Sequence, residues 1–180
     1  MFQLLIIGLF SVTLCGDLKT DPLPKKWHGT WVGQMKFFPG MPEAVKNSAA
    51  SGKVAVQFEI EEITNSNALV WRMTIGSDSN RVVKDYKLVP TGKPNEFLID
   101  ENGIDLNAYH YGDIIYSQFS FEEMVLIARY ELKEDQLLFE VTTGIPIGEK
   151  QLDGKIQTWK ISAVQSVLMK RRTLDRREGE

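Results

Sequence analysis

The sequence predicts an all-β protein: an antiparallel meander closed into a barrel of about 8–10 strands. From Trp27 onward, apolar residues recur mainly at every second position, which is the period of half-buried strands. Turn residues interrupt the pattern at short intervals, and no long amphipathic helix is available to cover a sheet. An open sheet of that many strands would leave two exposed edges and an uncovered face, so we expect closure.

The first strands are the most regular. The first strand is expected at residues 30–38, the second at residues 53–62 and the third at residues 69–75. Alternation places one set of apolar side chains on the inner face of this pair: Val54, Val56, Phe58, Ile60, Leu69, Trp71, Met73 and Ile75. The polar link at residues 64–67 consists of residues that tolerate left-handed backbone geometry, so it predicts a hairpin.

The remaining strands follow the same rule. They are expected at residues 81–89, 96–100, 104–109, 114–121, 124–132, 136–142 and 156–169. Residues 100–105 superficially resemble a calcium loop, but the glycine comes too early and the trailing glutamate is missing. Asn102-Gly103 between apolar runs instead predicts a type I′ turn, because both central positions of that turn need positive φ.

The chain begins with an apolar run, residues 1–14, too short to span a membrane and typical of the core of a signal peptide. We therefore expect a signal peptide over residues 1–16, a polar tether over 17–26, and a barrel domain over 27–169. A signal peptide usually has Lys or Arg near its N-terminus, and this run has neither. A buried N-terminal strand or helix is therefore the alternative. Export to the periplasm or attachment to a bacterial envelope is the expected localisation.

Cys15, the only cysteine, ends the apolar run. The string Val12-Thr13-Leu14-Cys15 resembles a lipobox, in which the cysteine receives lipid, but Leu14 stands where a small residue is usual. Lipidation at Cys15 and simple cleavage near Gly16 are both open. A chain cleaved beyond Cys15 would have neither a disulfide nor cysteine chemistry.

Charge and motifs exclude several functions. The formal charge of −3 arises from 24 acidic and 21 basic residues mixed along the chain, so we expect no nucleic-acid partner. The chain has no Gly-x-Ser-x-Gly, no His-Glu-x-x-His and no phosphate-binding glycine loop. We assign no catalytic residue, metal ligand or cofactor.

Two segments break the meander. Residues 39–52 are longer than a hairpin loop and hold a candidate short helix, which predicts either a lid over the barrel mouth or a surface crossover. The charged tail, residues 170–180, cannot bury a face and is expected to fray.

Gly29-Thr30-Trp31, continued by Val32-Gly33, resembles the opening strand of the lipocalin-like (calycin) barrels. The resemblance implies capture of a small apolar molecule, with the tryptophan packed across the closed end of the barrel under a basic side chain. Lys160 and Arg129 are the expected candidates for that basic residue.

Residues 29–39 also resemble the opening of haem-binding barrels of the nitrobindin type. Those proteins hold iron through a histidine late in the chain. The two histidines of this chain, His28 and His110, are not in that position, so haem is not expected.

A ligand site is therefore expected inside the barrel. The candidate ligand-binding residues are Trp31, Met35, Phe58, Trp71, Met73 and Phe139. The alternative is that these bulky side chains fill the interior, because a barrel of about 8 strands can be packed solid or hold one small ligand.

Three functions follow. The first is an exported carrier of a small hydrophobic ligand, and the second an interaction module with a filled barrel, anchored to the envelope through lipid on Cys15. The third, an enzyme, depends only on His110, which stands among tyrosines at an expected loop, residues 107–113, and could act as a general base. An ordinary solvated loop histidine is the alternative.

Overall fold

A computed structural model describes residues 23–39, 54–77, 80–151 and 154–173. Ten antiparallel strands follow one another around a closed barrel, and the last strand pairs with the first. The strands are β1 (Gly29–Phe38), β2 (Val54–Glu62), β3 (Leu69–Ile75), β4 (Val82–Pro90), β5 (Glu96–Glu101), β6 (Ile104–Tyr111), β7 (Ile114–Phe121), β8 (Met124–Lys133), β9 (Gln136–Gln151) and β10 (Ile156–Arg171). The predicted all-β fold and its closure are confirmed.

Tight turns connect these strands where the sequence supplies residues that accept positive φ. Asn102 and Gly103 have φ of 53° and 95° between β5 and β6, and Glu101 pairs directly with Ile104. The Gly103 amide also donates to the Asp100 carboxylate over 2.9 Å. The predicted two-residue turn is confirmed, and the positive φ at both central residues is what type I′ geometry requires.

The last two strands are longer than the sequence predicts. β9 pairs with β8 only as far as Gly144, and β10 pairs with β1 only as far as Val164. Beyond these points the two strands pair only with each other, forming what we call the β9–β10 extension, residues 145–151 and 156–163. Its exposed apolar side chains are Ile147, Ile156, Trp159 and Ile161.

β9 runs through Pro146, past residue 142, where the strand was expected to end. A proline usually interrupts a sheet, since it has no N–H to donate. Here it lies opposite Trp159 in the two-stranded extension, where the other side of β9 pairs with no strand of the described residues. Only the tertiary arrangement makes this position tolerant of proline.

The ordered barrel also extends beyond residues 27–169 at both ends. Leu23 is only 2% exposed, and a short 3₁₀ helix, Lys25–Trp27, leads into β1. The indole N–H of Trp31 donates to the backbone oxygen of Trp27 over 2.9 Å. This leader therefore packs across the end of the barrel where β1 begins, which we call the closed end.

Arg171, the last residue of β10, covers Trp31 at that closed end. Its guanidinium carbon lies 4.2 Å from the centre of the Trp31 ring. Its two terminal nitrogens donate to the backbone oxygens of His28 and, over 2.6 Å, of Lys26. The first two residues of the charged tail, 170 and 171, thus belong to β10.

The prediction that Lys160 or Arg129 covers Trp31 was wrong. Lys160 is exposed on the β9–β10 extension, and Arg129 points outward from β8 to pair with Glu131 at 2.7 Å. The sequence pattern was misleading because β10 continues past residue 169. The expectations for residues 1–22, including the signal peptide and Cys15, for the lid or crossover at 40–52 and for residues 174–180 lie outside the described residues.

Candidate functional site

The barrel interior is divided into a packed part and a cavity. Large side chains fill the closed end: Trp27, Trp31, Ile60, Leu69, Leu88, Phe97, Ile115, Leu132, Leu137 and Met169. Towards the other end, a cavity of about 190 Å³ is lined by side chains of β2 to β10. Its lining is Phe58, Trp71, Met73, Ile75, Lys84, Tyr86, Ile99, Glu101, Leu106, Ser117, Phe119, Leu126, Ala128, Tyr130, Phe139, Val141, Thr143 and Gln165.

Two small residues on neighbouring strands, Ser117 and Ala128, line this space. Ser117 of β7 pairs with Ala108 of β6 on one side and with Ala128 of β8 on the other. All three side chains are buried, and their row crosses the barrel wall at one level. Protein interiors are normally close-packed, so small side chains on one wall leave a space unless larger side chains of the opposite wall reach into it. Here the opposite wall does not fill that space.

Four aromatic rings form the floor of the cavity. Phe58 and Tyr130 both contact Trp71 edge to face, with ring centres 4.8 and 4.9 Å apart. Tyr130 also lies 4.9 Å from Phe139 and 5.7 Å from Phe58. Such contacts fix ring positions, so the floor is a preformed apolar surface.

The six residues proposed from the sequence as ligand-binding divide into two groups. Phe58, Trp71, Met73 and Phe139 line the cavity. Trp31 and Met35 are buried but do not line it, since Trp31 belongs to the closed end and Met35 to the packed wall of β1. Alternation identifies inward-facing residues, but does not show at which level along the barrel space remains.

One side of the cavity carries a polar cluster that the sequence analysis missed. The Tyr86 hydroxyl donates to Glu101, and the ammonium of Lys84 lies 3.4 Å from the Tyr86 oxygen and 5.7 Å from its ring centre. Burial, with the Glu101 contact second, raises the pKa of Tyr86 above its ordinary value, so the phenol stays protonated and remains a donor. Charged residues at the inward positions of β4 and β5 were the signal available in the sequence.

Deeper polar atoms lack partners. Ser117 is 1% exposed, and its hydroxyl makes no hydrogen bond within the described part of the chain. The Trp71 indole N–H is near enough to the Tyr130 phenol to lower its pKa slightly, yet makes no hydrogen bond of normal geometry there. Burial outweighs this effect and raises the pKa of Tyr130 to about 12, so this phenol is also neutral.

His110 does not belong to the cavity. It lies within β6, not in a loop, and packs at the closed end 5.9 Å from the Trp27 ring and 6.4 Å from the Phe97 ring. Burial lowers the pKa of His110, and this effect outweighs the contacts with Gly112 and Asp113, which raise it. The enzyme hypothesis thereby loses its only candidate base, because a ligand in the cavity would be out of its reach.

A second groove, on the outer face of β1–β4, is polar. Its basic residues are Arg72, Arg81 and Arg172. Arg72 is already paired with Asp85 at 2.8 Å and with Glu59 at 3.1 Å, contacts that raise its pKa. The cavity inside the barrel, and not this outer groove, offers the mostly apolar lining that small-molecule sites usually have.

Comparisons with known protein families, with curated proteins and with solved structures find no match to this chain. Among residues 23–39, 54–77, 80–151 and 154–173, no three His, Cys, Asp or Glu side chains are grouped to hold a metal ion. Nor does any helix in these ranges have the length and apolar character to cross a membrane.

Proposed function

We propose that this protein binds a small, mostly apolar molecule inside its barrel. The observation that carries the proposal is the cavity of about 190 Å³ above a floor of four aromatic rings. A dry cavity of about 150 Å³ is large enough for benzene, so the ligand is of the size of a substituted benzene or a small bicyclic ring. The unfilled interior favours this function over a module with a solid barrel.

The lipocalin-like relationship is part of the same proposal. The Gly29-Thr30-Trp31 opening, with Trp31 packed across the closed end under Arg171, supports it. We also propose export, with Cys15 either lipidated or removed. Labelling the expressed protein with a radioactive fatty acid tests the lipid, and a mature chain that begins after Cys15 would end the anchoring proposal.

Ligand binding can be measured through tryptophan fluorescence. Trp71 lies in the cavity, whereas Trp159 is exposed on the β9–β10 extension. Titration with toluene should change the emission saturably in the parent and in the Trp159→Phe control, and much less in Trp71→Phe. A parent protein without any saturable response would contradict the proposal.

A cavity-filling variant separates binding from folding. Ala128 lines the cavity and is 7% exposed, so Ala128→Leu places a larger apolar side chain into empty space. This change should abolish toluene binding, and it should leave the free energy of unfolding unchanged or raise it, because no packed atom has to move far. Unchanged affinity in Ala128→Leu would show that toluene binds elsewhere.

Native mass spectrometry of protein purified from its own source tests whether the protein carries a natural ligand. The expected result is a retained small molecule that Ala128→Leu protein, prepared in the same way, does not carry. A parent protein that is empty under conditions that preserve weak complexes would count against a tightly bound natural ligand.

A further inference from the structure

The unpartnered polar atoms of the cavity indicate which chemistry its ligand has. Buried hydroxyl and indole groups are nearly always hydrogen-bonded in native proteins, because an unsatisfied one costs free energy. Ser117 and Trp71 are each 1% exposed and line the cavity. The Ser117 hydroxyl has no hydrogen-bonded partner within the described ranges, and the Trp71 N–H meets the Tyr130 phenol without a hydrogen bond of normal geometry. Other buried atoms also lack a partner, among them the indole nitrogen of Trp27, but Ser117 and Trp71 both line one cavity, where a ligand could reach them.

Both groups can donate a hydrogen bond. An indole N–H is only a donor, and a serine hydroxyl is a donor as well as an acceptor. Their positions are compatible with one ligand: Ser117 lies diagonally across the β7–β8 pair from Tyr130, and Tyr130 contacts the Trp71 ring. A ligand atom that satisfies the Trp71 indole must therefore accept a hydrogen bond, and the same acceptor would also satisfy the Ser117 hydroxyl.

The charges of the wall favour a neutral ligand. Lys84 and Glu101 are held on either side of the Tyr86 hydroxyl, so their opposite charges compensate within the wall. The phenols of Tyr86 and Tyr130 are neutral, since the pKa of each is raised. An anion would meet Glu101, a cation would meet Lys84, and either would lose hydration on entering an otherwise apolar space.

We propose that the ligand is a neutral ring compound bearing a carbonyl-type oxygen, which accepts hydrogen bonds from Ser117 and from Trp71. This inference rests on the proposed function and specifies its ligand class. The ring would lie on the aromatic floor and the oxygen would face Ser117 and Ala128 on β7 and β8. The polar cluster of Lys84, Tyr86 and Glu101 would border the other side of the ligand.

A matched pair of probes tests this class. Acetophenone and α-methylstyrene have the same shape and differ only in carrying a carbonyl oxygen or a methylene group. In calorimetric titrations of the parent protein both should bind. Ser117→Ala should weaken acetophenone by about fivefold, the usual worth of one neutral hydrogen bond, and leave α-methylstyrene within twofold of its parent value.

The matched control is Ser120→Ala, on the same strand but exposed to solvent. It should change neither affinity. The infrared carbonyl stretch of bound acetophenone gives a second readout: it should move to higher frequency in Ser117→Ala, where a hydrogen bond is lost, and stay unchanged in Ser120→Ala.

The outcomes separate the two proposals. If neither probe binds the parent, ligand binding in the cavity is wrong and this inference falls with it. If both probes bind, but Ser117→Ala weakens both alike or neither, and the carbonyl frequency does not move, the cavity binds ligands without recognising a carbonyl. In that case only the present inference is overturned.

Discussion

Replacing Arg171 by Met should destabilise the barrel by about 2 kcal/mol. The guanidinium lies 4.2 Å from the centre of the Trp31 ring, a contact worth about 0.5–1 kcal/mol at an exposed site. It also donates to the backbone oxygens of His28 and Lys26. A hydrogen bond to a charged group is worth about 1.5 kcal/mol, less where the group is solvated, as Arg171 is.

Methionine keeps the apolar stem over Trp31 and removes the donors and the charge. The loss is therefore confined to the cation–π contact and the two hydrogen bonds. With a urea m-value of about 2 kcal/mol/M, the midpoint of unfolding should fall by about 1 M. Tryptophan fluorescence and circular dichroism should report the same midpoint if unfolding is two-state.

Arg172→Met is the matched control. Arg172 is the next residue and is exposed; its backbone N–H donates to Thr30 over 2.7 Å, a contact that the substitution keeps. This variant should unfold within about 0.5 kcal/mol of the parent, as most surface changes do. Equal midpoints for the two variants would refute the role assigned to Arg171.

Three further predictions concern stability. Gly29→Ala should cost at least about 1–2 kcal/mol, since Gly29 has φ of 130° and a Cβ there would lie 2.7 Å from Arg171 Nη1. Its cost in urea unfolding should be smaller in the Arg171→Met background, and equal costs would rule out the clash. Burial lowers the pKa of His110, so the unfolded chain binds a proton that the folded chain refuses, and stability should fall as the pH drops below about 6.5. His110→Gln should flatten this loss between about pH 7 and 5, and an unchanged pH profile would contradict the assignment. Trp71→Ala should cost roughly 3–5 kcal/mol in thermal or urea unfolding, because it deletes a ring packed against Phe58 and Tyr130, and a loss below about 1 kcal/mol would mean that the floor is not rigid.

The barrel could be predicted because the features that indicate its strands and turns are patterns of neighbouring residues. Alternation of apolar residues gave the inward positions of β2 and β3, and Asn102-Gly103 gave the turn between β5 and β6. The same local reasoning missed the length of β9, since Pro146 normally ends a strand and only its place in a two-stranded extension makes it acceptable. It also misplaced His110 in a loop, because Tyr109–Tyr111 continue β6 into the turn.

The site was less predictable than the fold. The inward alternation of β2, β3 and β9 placed Phe58, Trp71, Met73 and Phe139 inside, and all four line the cavity. It could not separate them from Trp31 and Met35, which point inward at levels where the barrel is packed. Lys84 and Glu101 were not predicted to line the interior, because a charged residue on a strand normally indicates the solvent face.

The alternation of this one chain thus determined that the protein is a closed antiparallel barrel and which side chains face its interior. Only the tertiary structure decided where the interior stays empty. Ala108, Ser117 and Ala128 are separate, unremarkable small residues along the chain, and strand pairing brings them into one row. The space beside that row depends on register and on the rings facing it, which are relations between distant segments that no local pattern encodes.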